Sequence, residues 1–120
     1  MIFHYCSVCG RVVMAHKTSE KDVFCCETPM TVLEPNTTKS EMEIHQIVKR
    51  QIGYFLTVSL PKHPVMDLHR IEFIAIETDQ GFQFRAIEKG QEPIANFILS
   101  KQENILHVYA FCNIHLLLQA

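Results

Sequence analysis

The chain has 120 residues, 48% of them hydrophobic and 20% charged, with a net charge of −2. That balance lacks the basic excess of a nucleic-acid footprint, and no apolar run approaches the roughly 20 residues of a membrane span. The length suits one ordinary core, or a small stapled module followed by a domain of about 85 residues.

The opening Met1-Ile2-Phe3-His4-Tyr5-Cys6 shows no basic stretch and no long apolar run of the secretory type, so a cytoplasmic location is expected. In a reducing compartment, clustered thiols favour metal ligation over disulfides. Four cysteines fall early: Cys6-Ser7-Val8-Cys9, then the adjacent pair Cys25-Cys26. A module this small cannot hold itself together by apolar burial alone, so a metal is expected to staple it. Glu34-Pro35-Asn36-Thr37-Thr38-Lys39-Ser40 is polar and carries a proline, which reads as a linker and divides the chain into residues 1–35 and 36–120.

Beyond it the pattern is of strands. Tyr54 to Leu60 is aromatic and β-branched and stops at Pro61. Ile71 to Glu77 is apolar, meets a turn at Thr78-Asp79-Gln80-Gly81, and is followed by an alternating run from Phe82 to Ile87; together these predict a hairpin. Phe97 to Leu99 and Ile105 to Phe111 are further strands. No stretch sustains helical periodicity, and short strands at this spacing predict a mainly β chain ending in a sandwich.

Two groups of residues carry chemistry. Cys6, Cys9, Cys25 and Cys26 can surround one tetrahedral ion, and soft sulfur selects zinc or iron. Gly10 after Cys9 fits a knuckle, where backbone amides turn toward a sulfur. An adjacent pair points its side chains in different directions, so a distorted tetrahedron is expected. A redox iron centre and a purely structural staple both fit this group. The second group is His45, His63, His69, Cys112 and His115. His63 and His69 bracket a loop between strands, and Cys112-x-x-His115 follows the last strand. One thiolate among imidazoles is an electron-rich set, and five ligands leave an octahedral ion one open position for a small molecule. His4, His16 and His107 have no such company and read as ordinary surface or core residues.

These motifs make the chain similar to the desulfoferrodoxin family, the two-centre superoxide reductases, over nearly its whole length. Tyr5-Cys6-Ser7-Val8-Cys9-Gly10 and Cys25-Cys26-Glu27-Thr28-Pro29-Met30 fit the family's desulforedoxin module. Met42-Glu43-Ile44-His45, His63-Pro64 with His69 and Ile71-Glu72, and Phe111-Cys112-Asn113-Ile114-His115 fit its catalytic domain. The resemblance implies a rubredoxin-like or desulforedoxin-like metal module followed by an immunoglobulin-like sandwich, and a homodimer. It implies non-haem iron with His45, His63, His69 and His115 equatorial and Cys112 axial. Superoxide would be reduced to hydrogen peroxide without release of dioxygen, which makes the chain an oxidoreductase. The electron donor would be of the rubredoxin type. The counterpart of Glu43 binds the open position of the spent iron.

Three departures stand out. The family's lysine before the first histidine is Ile44 here, which removes a positive charge that steers an anion; Lys62 and Arg70, beside His63 and His69, are candidates to compensate. The usual glycine after the last histidine is Leu116, with Leu118 where an aromatic residue is usual. The stretch from His45 to His63 is slightly shorter than the family's. Two other readings remain open on the same fold: a non-catalytic iron electron carrier or redox sensor, and a structural zinc protein.

Overall fold

The computed structural model describes all 120 residues, which divide into two compact units, Met1–Glu34 and Pro35–Ala120. No helix is long and apolar enough to cross a membrane.

The first unit has five short strands: β1 (Ile2–Tyr5), β2 (Val12–Ala15), β3 (Phe24–Cys25), β4 (Thr28–Pro29) and β5 (Thr31–Val32). β1 lies between β2 and β5, all antiparallel, and β3 pairs with β4 as a minimal hairpin. Only Phe3, Cys6 and Met30 of this unit are buried. So small a core cannot offset the entropy of ordering the unit, which therefore needs a covalent or metal staple.

The second unit carries a helical turn α1 (Thr37–Ser40), a 3-10 turn (Glu43–His45) and seven strands. These are β6 (Val48–Ile52), β7 (Phe55–Ser59), β8 (Ile71–Thr78), β9 (Gly81–Ala86), β10 (Ile94–Ile98), β11 (Ile105–Cys112) and β12 (Leu116–Gln119). They form two antiparallel sheets in the orders β10-β7-β6 and β12-β11-β8-β9. Side chains alternate across a strand, so every second residue of β7, β10 and β11 points between the sheets. Leu56, Val58, Ala95, Phe97, Val108, Ala110 and Cys112 meet there, joined by Ile74 and Ile76 of β8.

The strand runs read from the sequence appear as β7, the β8–β9 hairpin with Thr78 opposite Gly81, β10 and β11. Several elements were not expected, among them β12, since Ile105 to Phe111 was read as the last strand. The segment 34–40, read as a linker, contains α1 because Asn36 caps it: its Oδ1 accepts from the Lys39 N–H at 3.1 Å. The Asn36 N–H also donates to the Leu117 carbonyl at 2.8 Å, which ties the turn to β12. β6 is Val-Lys-Arg-Gln-Ile and exposed throughout, so it lacks apolar alternation. Pairing with β7 makes it a strand.

One irregularity bears on the site. From His107 onward β11 and β8 run in register until Phe111 faces Phe73, and then Cys112 faces Ile71, which leaves Glu72 as the extra residue of a bulge. Without the shift, the Glu72 carboxylate would stand against Cys112. With it, Ile71 joins the core beside that sulfur.

Candidate metal centres

Cys6 and Cys9 belong to a tight knuckle. The Gly10 N–H donates to the Cys6 carbonyl at 2.8 Å, and the Cys9 N–H points at the Cys6 sulfur at 3.5 Å. Gly10 has φ +79°, in the left-handed region that glycine enters without strain. Cys26 and Glu27 are the two loop residues of the β3–β4 hairpin, with φ +53° and +59°. Two positive φ values in a two-residue loop define the I′ type, normally an Asn-Gly site. The hairpin brings Cys25 Sγ within 3.6 Å of Cys9 Sγ and 3.9 Å of Cys26 Sγ. All four sulfurs lie within 4.8 Å of one another. The adjacent pair thus faces one point through a strained turn rather than through a regular knuckle. The protons are unevenly held. The Cys9 N–H draws the Cys6 thiol down to about 6, whereas hydrogen bonding with Cys6 and Cys9 pushes Cys25 up to about 12. A bound cation would settle all four as thiolates.

The second group sits at one end of the sandwich, where the 3-10 turn ends, β7 leaves, β8 begins and β11 turns into β12. Four ring contacts close a cycle: His45 to His63 at 5.3 Å between centroids, His63 to His69 at 4.8 Å, His69 to His115 at 5.4 Å and His115 to His45 at 4.7 Å. The Cys112 sulfur is fully buried at the end of β11, 3.2 Å from His63 Nε2 and 3.8 Å from His115 Nδ1. His45, His69, Cys112 and His115 have donor atoms all within 4.8 Å of one another. His63 stands outside that tightest set of four but touches it through Cys112.

Hydrogen bonds fix the tautomers. His45 Nδ1 lies 2.6 Å from the Lys39 carbonyl and His63 Nδ1 lies 2.9 Å from the Pro64 carbonyl. A carbonyl can only accept, so each Nδ1 carries the proton and each Nε2 keeps its lone pair. Burial favours neutral rings: it lowers His45 and His115 and takes His63 down to about 4. Burial raises the Cys112 thiol, against opposing hydrogen bonds from the backbone N–H groups of His115 and Ile114.

Two observations test whether these residues fit a metal. His69 Nε2 is buried with no hydrogen-bond partner, a situation that costs about 1–3 kcal/mol unless something is bound there. The spacing also fits. Nitrogens about 2.1 Å from an ion at right angles lie about 3.0 Å apart, and a nitrogen and a sulfur about 3.1 Å. His115 Nδ1 to His45 Nε2 is 3.0 Å, and His63 Nε2 to Cys112 Sγ is 3.2 Å.

Glu43 and Lys62 form an exposed ion pair beside this group, and Lys62 lowers the Glu43 carboxyl. Arg70, the other candidate for replacing the missing lysine, instead donates Nη1 to the Ile87 carbonyl at 2.7 Å. Ile44 is half-buried between Glu43 and His45. The asparagines Asn36 and Asn113, present in the linker and in the Cys112–His115 motif, carry hydrogen bonds that the sequence did not announce.

Fold and donors together define a mainly β protein with two separate groups of metal-ligand type, one of four thiols and one of four imidazoles and a thiol. The desulfoferrodoxin family model matches residues 15–120. The desulfoferrodoxin homolog of Archaeoglobus fulgidus is 30% identical over all of this chain and 96% of its own length. The desulfoferrodoxin of Nitratidesulfovibrio vulgaris is 30% identical over 92% of this chain and 87% of its own. The chain belongs to the desulfoferrodoxin family. Among solved structures, the superoxide reductase from Treponema pallidum superposes with a TM-score of 0.82, covering 98% of this chain and 94% of that one, at 20% identity. That likeness speaks for the fold.

Proposed function

We propose that the protein is a superoxide reductase, with iron held by His45, His63, His69, His115 and Cys112. The observation that carries this reading is the closed cycle of four imidazoles around one buried sulfur, with His69 Nε2 buried and without a hydrogen-bond partner. Ferrous iron in that set would supply one electron to superoxide, which with two protons leaves as hydrogen peroxide. The protein's own part is to fix the nitrogens before iron arrives. Lys39 and Pro64 carbonyls hold the His45 and His63 rings with Nε2 facing inward. The Cys112 sulfur lies in the core, where donated charge is poorly screened.

Lys62, exposed and paired with Glu43, is the positive charge that an incoming anion meets. Glu43, two residues before His45, would be the carboxylate available to a bound iron. In this reading the four-cysteine module holds iron or zinc and is accessory, the protein works as a homodimer in the cytoplasm, and a rubredoxin-type donor returns the electron.

The test is pulse-generated superoxide against reduced, iron-loaded protein. The reading expects oxidation near the diffusional ceiling, on the order of 10⁸–10⁹ M⁻¹s⁻¹, with one peroxide per iron oxidised and no dioxygen. Slow oxidation with the iron in place would turn the assignment to an electron carrier or redox sensor.

A further inference from the structure

His69 is the candidate ligand with the least support from its own side chain, since its Nε2 makes no hydrogen bond. Its backbone, by contrast, is held on both sides. Met66 and His69 exchange two hydrogen bonds at 3.1 Å each, which closes a small turn before it. On either side of His69, a single residue of the opposite segment takes hold. Asn113 Nδ2 donates to the Leu68 carbonyl at 3.2 Å, Asn113 Oδ1 accepts from the Arg70 N–H at 2.9 Å, and the Asn113 N–H donates to the Arg70 carbonyl at 3.1 Å. Asn113 itself follows Cys112 directly and stands two residues before His115.

We infer that Asn113 is the positioning residue that presents His69 to the metal. Its three hydrogen bonds fix residues 68 and 70 against the Cys112–His115 turn, so the imidazole between them has one backbone setting relative to the sulfur. The inference rests on the proposed metal site and adds a residue that touches neither metal nor substrate. Asparagine suits the task because one side chain offers a donor and an acceptor at once. Aspartate has the same shape but would set an oxygen against the Leu68 carbonyl.

The molecule supplies its own control. At Asp79, on the turn between β8 and β9, Asn104 makes a similar three-bond staple. It donates its N–H and Nδ2 to the Asp79 carboxylate at 2.9 Å each and accepts the Asp79 N–H at 3.0 Å. Asn104 is outside the proposed centre, so Asn104→Ala, which removes the Nδ2 bond and keeps the two main-chain ones, measures what losing the side-chain part of such a staple does to the fold alone.

The experiment titrates ferrous iron, in competition with a chelator, into metal-free full-length wild type, Asn113→Ala, Asn113→Asp and Asn104→Ala. Uptake at the histidine–cysteine group is followed, after oxidation, by the thiolate-to-iron charge-transfer band absent from Cys112→Ser. Partners behind a ligand typically contribute about 10-fold to 100-fold in affinity, and both Asn113 variants are expected to lose that much, with a shifted band. Asn104→Ala keeps wild-type affinity and band. Asn113→Asp keeps the shape, so it decides the matter even if Asn113→Ala folds poorly. Wild-type affinity and band in Asn113→Asp would overturn the clamp while leaving the metal site standing. A wild type that takes up no iron at this group would overturn the site and the clamp with it.

Discussion

The two donor groups are built in opposite ways. The four thiols stand in a unit with three buried residues, two of the thiols on a hairpin whose loop has two left-handed non-glycine residues, and Cys9 and Cys26 are exposed. The histidine–cysteine group stands at the end of a seven-stranded sandwich, with His45, His63 and Cys112 buried and the rings already oriented by backbone carbonyls. In the first, a metal would make the structure; in the second, the structure makes a place for a metal. Folding energy and site geometry are therefore coupled tightly in one unit and loosely in the other.

The sharpest way to break this contrast is to strip all metal. Residues 1–34 are expected to lose their ordered structure, while strands β7, β8 and β11 keep theirs. Hydrogen exchange read by peptide would show it, and equal loss of protection in both units would refute the contrast. Next in size is Cys26→Ser. It should abolish metal retention in the first unit and leave the superoxide reaction of the second unchanged, as followed by pulse radiolysis on protein verified to hold iron at Cys112. Loss of the reaction under those conditions would show that the units depend on each other.

Smaller effects sharpen the account of the second site. Lys62→Met removes the charge paired with Glu43 and is expected to slow oxidation by superoxide about 10-fold at low salt and to flatten its salt dependence. Ile44→Lys is expected to act the other way, by less, because Lys62 already supplies a charge. Unchanged rates and unchanged salt slopes in both would remove electrostatic steering. The smallest effect is on metal-free stability. Burial holds His45, His63 and His115 below the ordinary histidine value, His63 at about 4. The unfolded chain then binds more protons than the folded one between about pH 6.5 and 4. Stability from these groups is complete above that window and is lost as pH falls through it. Thermal melting of metal-free protein should show a decline from pH 7 to pH 5, and a flat profile would speak against buried neutral rings.

How much of this was readable in the chain follows from what each residue type declares. The candidate donors were legible because Cys25-Cys26 and Cys112-x-x-His115 have few other uses, the strands around Val58 and Phe97 because one-sided burial imposes alternation, and the strand around Ile74 because burial of both faces makes a continuous apolar run. β6 was not, since Val48–Ile52 is exposed and owes its strand form to a partner. α1 was hidden because a polar capped turn and a linker share a composition. The Asn113 bonds end on main-chain groups of Leu68 and Arg70, and no side-chain pattern announces a main-chain partner. The directions of Lys62 and Arg70 were equally closed to inspection: both flank a histidine, yet only Lys62 meets Glu43 while Arg70 turns to Ile87.

Leu116 follows His115 with φ +63°, in the left-handed region that glycine enters most freely. A left-handed setting costs a side-chain-bearing residue about 1–2 kcal/mol, so this chain carries tension one residue from a proposed ligand. Substitutions at 116 are thus ranked by handedness more than by hydrophobicity. Glycine and asparagine are the replacements that relax the turn, whereas valine and isoleucine, close to leucine by every measure of polarity, are those it can least absorb.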